Sequence, residues 1–399
     1  MFNILKTNDD INSEEYVIAT YNLESTKSLW DAAWDLAVGQ SVGNPNVRNS
    51  WETDELFDKY CCKIISQFSK ERLKSEFDGD IRIGFPVANI DWEDDGISQL
   101  LCHLMGGQMD IDHITRCHLK NLEFPRSVKI HFNTPAWGVT GMRKFTNQYD
   151  KPLFGGIVKP KTGLTPNQLL DMIMQLVDGG VDFIKEDEIL ANPAFCKLED
   201  RVELISNFLA QQKRKVIYCF CINGEHHKVL DRAKFVAQNG GNGVHINVWS
   251  GLGVYNSVRK LNSGLFIHFQ KSGDRVFTNV NNQFSIYWRV VCQLAGLMGV
   301  DSIHAGMYGG YLSDSEEELN DIMTILLSNN VVPALSCGMH PGIVNMIADK
   351  FGNDFMANVG GAIHGHPGGT TSGAKAMRQA IDRVYGPDYQ VAVEKWGAW

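Results

Sequence analysis

The sequence has no apolar run approaching the roughly 18 residues that a membrane-spanning helix requires. Its first stretch, MFNILKTNDDINSEEY, is polar and acidic and lacks the basic-then-apolar order of a secretory leader, so export by that route is not expected. Positive charge is in deficit: 37 Lys and Arg face 46 Asp and Glu, a net charge of −9. That balance argues against a nucleic-acid or membrane surface but leaves room for a local basic pocket that binds phosphate. Metal-finger spacing is absent among the nine cysteines, and Cys61-Cys62 and Cys219/Cys221 are too close for ordinary structural bridges. Reduced thiols in a cytoplasmic protein are therefore expected. Low-complexity segments are also missing. A hydrophobic fraction of 44% and a charged fraction of 21% are globular values that exclude a disordered chain. A length of 399 residues allows two or three domains, or one large barrel with an appendage.

From about residue 150 one pattern recurs: a short apolar run, Gly or polar residues, then a helical stretch. The expected strands are 153–158, 181–184, 216–221, 243–248, 264–269, 301–304, 331–335 and 356–360. They are continuous apolar runs, the mark of strands covered on both faces. The first helix between them is well punctuated. Thr165 can cap it, Pro166 suits the first helical position and Gln168 completes a capping box. Leu169, Leu170, Ile173, Leu176 and Val177 make one stripe, and Gly179-Gly180 ends the helix. Eight such units predict an α/β fold with a C-terminal (β/α)8 TIM barrel over 136–399. An open doubly wound sheet is the alternative, weakened because no G-x-G-x-x-G follows the first strand. Residues 1–135 predict a smaller α+β, ferredoxin-like domain. It would have a strand at 16–21, a helix from near Ser25, and further strands around 60–66 and 80–87.

Catalytic groups of such barrels lie at the C-terminal ends of the strands. There the sequence places Lys159-Pro160-Lys161, Lys185-Glu186-Asp187-Glu188, Asn247, His268-Phe269-Gln270-Lys271, His304, Ser336-Cys337-Gly338 and Gly360-Gly361, the last followed by His364 and His366. A single charge run is usually a solvated face. Convergence of so many on one rim is what favours a site. Lys185 and Asp187 are two apart and share a face in extended chain, and Glu188 can turn in from the loop. Asp and Glu are the hard oxygen donors that Mg²⁺ prefers. An ammonium cannot ligate a cation, so Lys185 is either a counter-charge or a chemically modified ligand, and the pattern alone does not choose. Lys159 and Lys161 would lie nearby, either as plain surface lysines or, beside a cation, as groups that move protons near neutral pH. Gly338, Gly360 and Gly361 could present backbone N–H groups to phosphate or simply make tight turns. The i, i+2 pair His364 and His366 could mimic a metal pair, although a Gly/Pro-rich loop is a poor setting for one.

These residues carry a resemblance. Gly179-Gly180-Val181-Asp182-Phe183-Ile184-Lys185-Glu186-Asp187-Glu188 resembles the metal-binding signature of the ribulose-bisphosphate carboxylase (RuBisCO) family, and Lys159-Pro160-Lys161 resembles its first-strand motif. Ser302–Gly306, Ser336–His340 and Gly360–Pro367 follow in the family's order, so the likeness is strong over about 135–385. It implies that CO2 carbamylates Lys185 and that the carbamate, Asp187 and Glu188 hold Mg²⁺. It further implies catalytic roles for Lys159, Lys161 and His268, and contacts from Lys271, His304, Ser336, Gly338, Gly360 and Gly361 to a phosphorylated substrate. A homodimer with a site shared between subunits is also implied.

The departures from the family decide the expected activity. Tyr311, in the loop Met307–Leu312, stands where the carboxylase has the lysine that polarises CO2. Gln270 replaces an active-site histidine, and Lys271 replaces a phosphate-binding arginine whose bidentate fork lysine cannot reproduce. Gly39 replaces a catalytic glutamate, Asn44-Pro45 a Thr-Trp phosphate contact and Gly107 an asparagine. Enolisation chemistry is kept and CO2 fixation is not. The pattern is most similar to RuBisCO-like proteins of apiose catabolism acting on 3-oxo-isoapionate 4-phosphate. A methylthio-pentulose-phosphate isomerase or enolase of methionine salvage is the alternative, and a true carboxylase is third.

Overall fold

The computed structural model describes residues 4–399. Its strands are β1 (Leu5–Lys6), β2 (Tyr16–Ser25), β3 (Lys63–Ile65), β4 (Asp78–Pro86), β5 (Ile114–Glu123), β6 (Leu153–Ile157) and β7 (Phe183–Lys185). They continue as β8 (Ile217–Cys221), β9 (Gly243–Asn247), β10 (Phe266–Gln270), β11 (Phe284–Ile286), β12 (Ser302–Gly306), β13 (Val332–Leu335) and β14 (Met356–Val359). The chain forms two compact units. One comprises the described residues up to Phe132 together with Gly273–Leu294, and the other comprises Asn133–Ser272 and Ala295–Trp399. Among the described residues no helix is long and apolar enough to cross a membrane.

In the first unit a six-stranded sheet runs β1-β3-β4-β2-β5-β11. Its centre, β3-β4-β2-β5, is antiparallel. With helices Leu29–Gly39 and Gly96–Leu104 it makes the βαββαβ ferredoxin-like order. Ser28 caps the first helix by accepting from Asp31 N, three residues beyond the Ser25 start expected from sequence. The sequence reading carries 273–294 within the barrel half, but β11 pairs in parallel with β5 and Gln293 bonds to Leu122, which ties this insertion to the first unit.

In the second unit the other eight strands close a parallel barrel, β6-β7-β8-β9-β10-β12-β13-β14. All eight coincide with the expected runs to within two residues at either end. Every residue of β8, β9 and β10 is buried, as two-sided coverage demands. The helix Pro166–Asp178 carries the anticipated capping box between Thr165 and Gln168. Beneath the barrel, Asp301 accepts from Trp137 N, Gly138 N and Ile267 N and pairs with Arg259, a buried strut that fixes β10 against β12.

Candidate active and metal site

A cavity of about 530 Å³ opens at the C-terminal ends of the barrel strands. Lys159 and Lys161 line it beyond β6, Lys185, Asp187 and Glu188 at the end of β7, and Gln270 and Ser272 at the end of β10. The lining continues with His304 of β12, Ser336 and Gly338 beyond β13, and Gly360 and Gly361 beyond β14.

Strand alternation sorts the charged run at β7. Lys185 and Asp187 turn inward, whereas Glu186 turns outward and is held by Arg201 at 2.8 and 3.2 Å, the Tyr218 hydroxyl at 3.0 Å and Cys221 N at 2.7 Å. Glu186 and Arg201 are fully buried. Their pairing anchors the strand end, so its inward residues start from a fixed backbone. Lys185 Nζ donates to Glu186 O at 3.2 Å and lies 3.4 Å from Glu188 Oε2. Lys159 Nζ, reaching over from β6, donates to Asp187 Oδ2 at 2.6 Å.

Burial pushes the Lys185 ammonium below the usual lysine range, against the pull of Glu188 and Asp187. Burial would raise the Glu188 carboxyl, but the Lys185 charge and the Ser272 hydroxyl overcome it and draw the group down to about 2. His304 lies 3.0 Å from Ser336 Oγ through Nδ1, and burial, aided by Lys185, pushes its imidazole down to about 3. It is therefore a neutral ring at physiological pH.

Lys271 and His268, both singled out from sequence, do not line the cavity, and neither do Asn247, His364 and His366. The Lys271 side chain is not on its wall, although Gln270 and Ser272 on either side are, because successive residues of extended chain point to opposite faces. His268 is fully buried in the barrel beneath Gln270, with Nδ1 at 3.2 Å from Ser302 Oγ. His364 and His366 have both ring nitrogens engaged. His364 bonds Ile157 O and Thr370, and His366 bonds Asp388 O and Gly368 N, so neither ring is placed as a ligand. Sequence reasoning did not single out Ser272, Asn358 or Trp396 as lining residues. Position after a strand end could have flagged Ser272. Trp396 comes from a helix, Pro387–Trp396, with no such signal.

Two of the departures have a packing counterpart. A Cβ on Gly338, whose φ is +116°, would sit 2.6 Å from Tyr311 N, and a Cβ on Gly310 would sit 2.4 Å from Cys337 O. The loop after β12 is thus seated on the turn after β13, with the Tyr311 side chain 80% exposed. In the first unit, a Cβ on Gly39 would lie 2.2 Å from Gln108 Cδ, so the space a longer side chain would need is filled by an amide.

A ferredoxin-like sheet is followed by a parallel (β/α)8 barrel whose strand ends bring lysines and carboxylates together. The model of the ribulose bisphosphate carboxylase large chain, catalytic domain, matches residues 138–331 and 325–395, and the chain belongs to this RuBisCO family. It is 29% identical over 409 residues to a ribulose bisphosphate carboxylase of Pyrococcus furiosus, covering 96% of this chain and 94% of that one. Among solved structures it resembles the octameric RuBisCO of Pyrococcus horikoshii, with TM-score 0.88, 26% identity, and 98% and 96% of the two chains covered. It also resembles a rubisco-like protein (MtnW) of Alicyclobacillus acidocaldarius, with TM-score 0.83, 28% identity, and 97% and 100% covered.

Proposed function

We propose that the chain is a cytoplasmic RuBisCO-like enzyme that forms an enediolate from a phosphorylated keto-sugar acid. The substrate is 3-oxo-isoapionate 4-phosphate, and the outcome is decarboxylation or hydrolytic carbon–carbon cleavage. One observation carries this reading. Lys159, Lys185, Asp187 and Glu188 meet at one cavity, while the Met307–Leu312 loop brings Tyr311 and no cationic side chain. Among the described residues no group of three or more His, Cys, Asp or Glu gathers as a metal cluster. Two carboxylates with water can hold Mg²⁺, and a further anionic donor is needed only where the protein supplies a third oxygen ligand. Lys185 fits that need as a carbamate, since burial favours its neutral amine, the form that adds CO2 with release of a proton. Held by these residues, Mg²⁺ would supply electrophilic stabilisation of developing negative charge.

The remaining steps belong to the chain's own residues. A β-keto acid that loses CO2 leaves an enolate, and one proton delivered to its carbon completes the reaction. Lys159, 2.6 Å from Asp187, is the donor, with Lys161 beside it. His304 with Ser336, and the backbone of Gly338, Gly360 and Gly361, receive the phosphorylated end. Release of CO2 requires no lysine at position 311. The active form is a homodimer whose subunits share the site. A second reading, isomerisation or enolisation of a methylthio-pentulose phosphate, is favoured by Ile157, Met339 and Trp396 on the cavity wall and by the absence of Lys271 from it.

The test offers three substrates with Mg²⁺ and bicarbonate: 3-oxo-isoapionate 4-phosphate, methylthioribulose 1-phosphate and ribulose 1,5-bisphosphate. CO2 or cleavage product from the first supports the proposal, turnover of the second alone favours the second reading, and labelled CO2 fixed onto the third overturns both. Lys185→Ala is expected to abolish turnover, and retained activity removes the carbamate from the mechanism.

A further inference from the structure

We propose that Ser272 and Gln270 form a positioning clamp that presets the Glu188 carboxylate for a divalent cation. The inference rests on the reading of Lys185, Asp187 and Glu188 as the cation site. Ser272 Oγ lies 2.6 Å from Glu188 Oε1, Gln270 Nε2 lies 2.6 Å from Ser272 Oγ, and Gln270 Nε2 lies 3.2 Å from Glu188 Oε2. An ionised carboxylate only accepts, so the Ser272 hydroxyl donates to Oε1 and its lone pair takes one amide hydrogen of Gln270. The second amide hydrogen of Gln270 goes to Oε2. Each hydrogen is used once, and the ring closes in a single sense.

Both ends of the clamp are themselves anchored. Asn247 Nδ2 donates to Ser272 O at 2.8 Å, while its Oδ1 accepts from Trp249 N at 3.0 Å, which fixes the amide's orientation. Asn223 Nδ2 donates to Glu188 O at 2.7 Å, and its Oδ1 accepts from Asn247 N at 2.7 Å. The network therefore spans the mouth of the barrel from the end of β7 to the end of β10. It holds Glu188 with Oε1 committed to Ser272 and Oε2 turned towards Lys185 Nζ. Ser272 and Gln270 touch the acid, not the reacting atoms, which makes them positioning residues.

Loss of a partner that orients a metal ligand typically weakens metal affinity about 10- to 100-fold. The probe is Mn²⁺, titrated into the full-length protein with bicarbonate and followed by the electron-spin-resonance signal of the free ion. The parent is expected to bind Mn²⁺ only with bicarbonate. S272A is expected to bind about 10- to 100-fold more weakly with an unchanged far-ultraviolet circular dichroism spectrum, and S272T, which keeps the hydroxyl, to recover most of the loss. Q270L provides an independent route should S272A not fold, with a loss of similar size expected. Unchanged affinity in both S272A and Q270L, or a loss in S272A that S272T does not recover, overturns the clamp. Failure of the parent itself to bind Mn²⁺ with bicarbonate overturns the underlying cation site and the clamp with it.

Discussion

Arg201→Met tests the claim that an outward-facing ion pair fixes the strand end on which the site is built. The guanidinium holds Glu186 Oε1 at 2.8 Å and Oε2 at 3.2 Å, and it also donates to Ala191 O at 2.6 Å and to Cys196 O. Neither partner of the pair is exposed. Removing the cation leaves a buried carboxylate with the Tyr218 hydroxyl and Cys221 N as its donors. Breaking one side of a buried pair costs about 3–5 kcal/mol, and carbonyls stripped of their donor add to it. We expect a loss of at least about 4 kcal/mol, read as a lower urea midpoint by circular dichroism and as a melting temperature lower by roughly 8–15 °C. Adding Glu186→Gln to Arg201→Met removes the stranded charge, so the double variant is expected to recover about 1–3 kcal/mol. A cost below about 1 kcal/mol for Arg201→Met, or no recovery in the double variant, would refute the reasoning.

Three further outcomes are expected. The Glu188 carboxyl sits at about 2 in the folded chain against an ordinary 4.5, so its contribution to stability is full above about pH 4.5 and is lost as pH falls towards 2. The shift corresponds to about 3 kcal/mol, and urea midpoints between pH 5 and 3 should fall more steeply for the parent than for Glu188→Gln. Tyr311→Lys, at an exposed position, should change stability by less than about 0.5 kcal/mol and should not confer labelled-CO2 fixation on ribulose 1,5-bisphosphate, because Gln270 and Gly39 remain as they are. Gly373→Ala would drive a Cβ to 2.0 Å from Ile363 O, beside the turn that carries Gly360 and Gly361. We expect about 1–3 kcal/mol of destabilisation by thermal unfolding and weaker binding of phosphorylated ligands.

The barrel was legible because its strands are buried on both faces, so local composition alone marks them. The edges were less so. Val181 and Asp182 were expected in the strand that begins at Phe183; the Asp182 backbone still bonds Phe154 O and Ile217 N, while its carboxylate receives Phe154 N at 2.9 Å and pairs with Arg378 and Arg214. β5 is hard to see in the sequence because its ten residues, ITRCHLKNLE, form neither a continuous apolar run nor a strict alternation: the polar pairs Thr115-Arg116 and Lys120-Asn121 break the period. β11 is three residues long and is defined only by its pairing with a strand more than 160 positions earlier, which no local pattern encodes. At the site, motif order found the inward residues of β7 and β12 but could not tell which neighbour of Gln270 faces the cavity. Lys271 has the more suggestive chemistry, whereas Ser272 has the geometry. Strand alternation counted from Gln270 would have chosen Ser272.

The residues beneath the cavity set the electrostatic surroundings of Lys185. The interior of such a barrel is ordinarily filled by Val, Ile and Leu, yet β9, β10 and β12 place His245, His268 and His304 there. His245 and His268 are register partners, and the His268 and His304 rings meet edge to face at 4.9 Å. Burial first, with the Lys185 charge behind it, pushes all three imidazoles below their ordinary range, and neighbouring rings add to the effect at His245 and His268. The layer is consequently polar but uncharged. A layer of imidazolium rings would repel a divalent cation held by Asp187 and Glu188. Neutral histidines add no like charge beside Lys185, whose burial leaves it short of water. The same desolvation that makes a lysine costly in a barrel core makes its free amine available for chemistry.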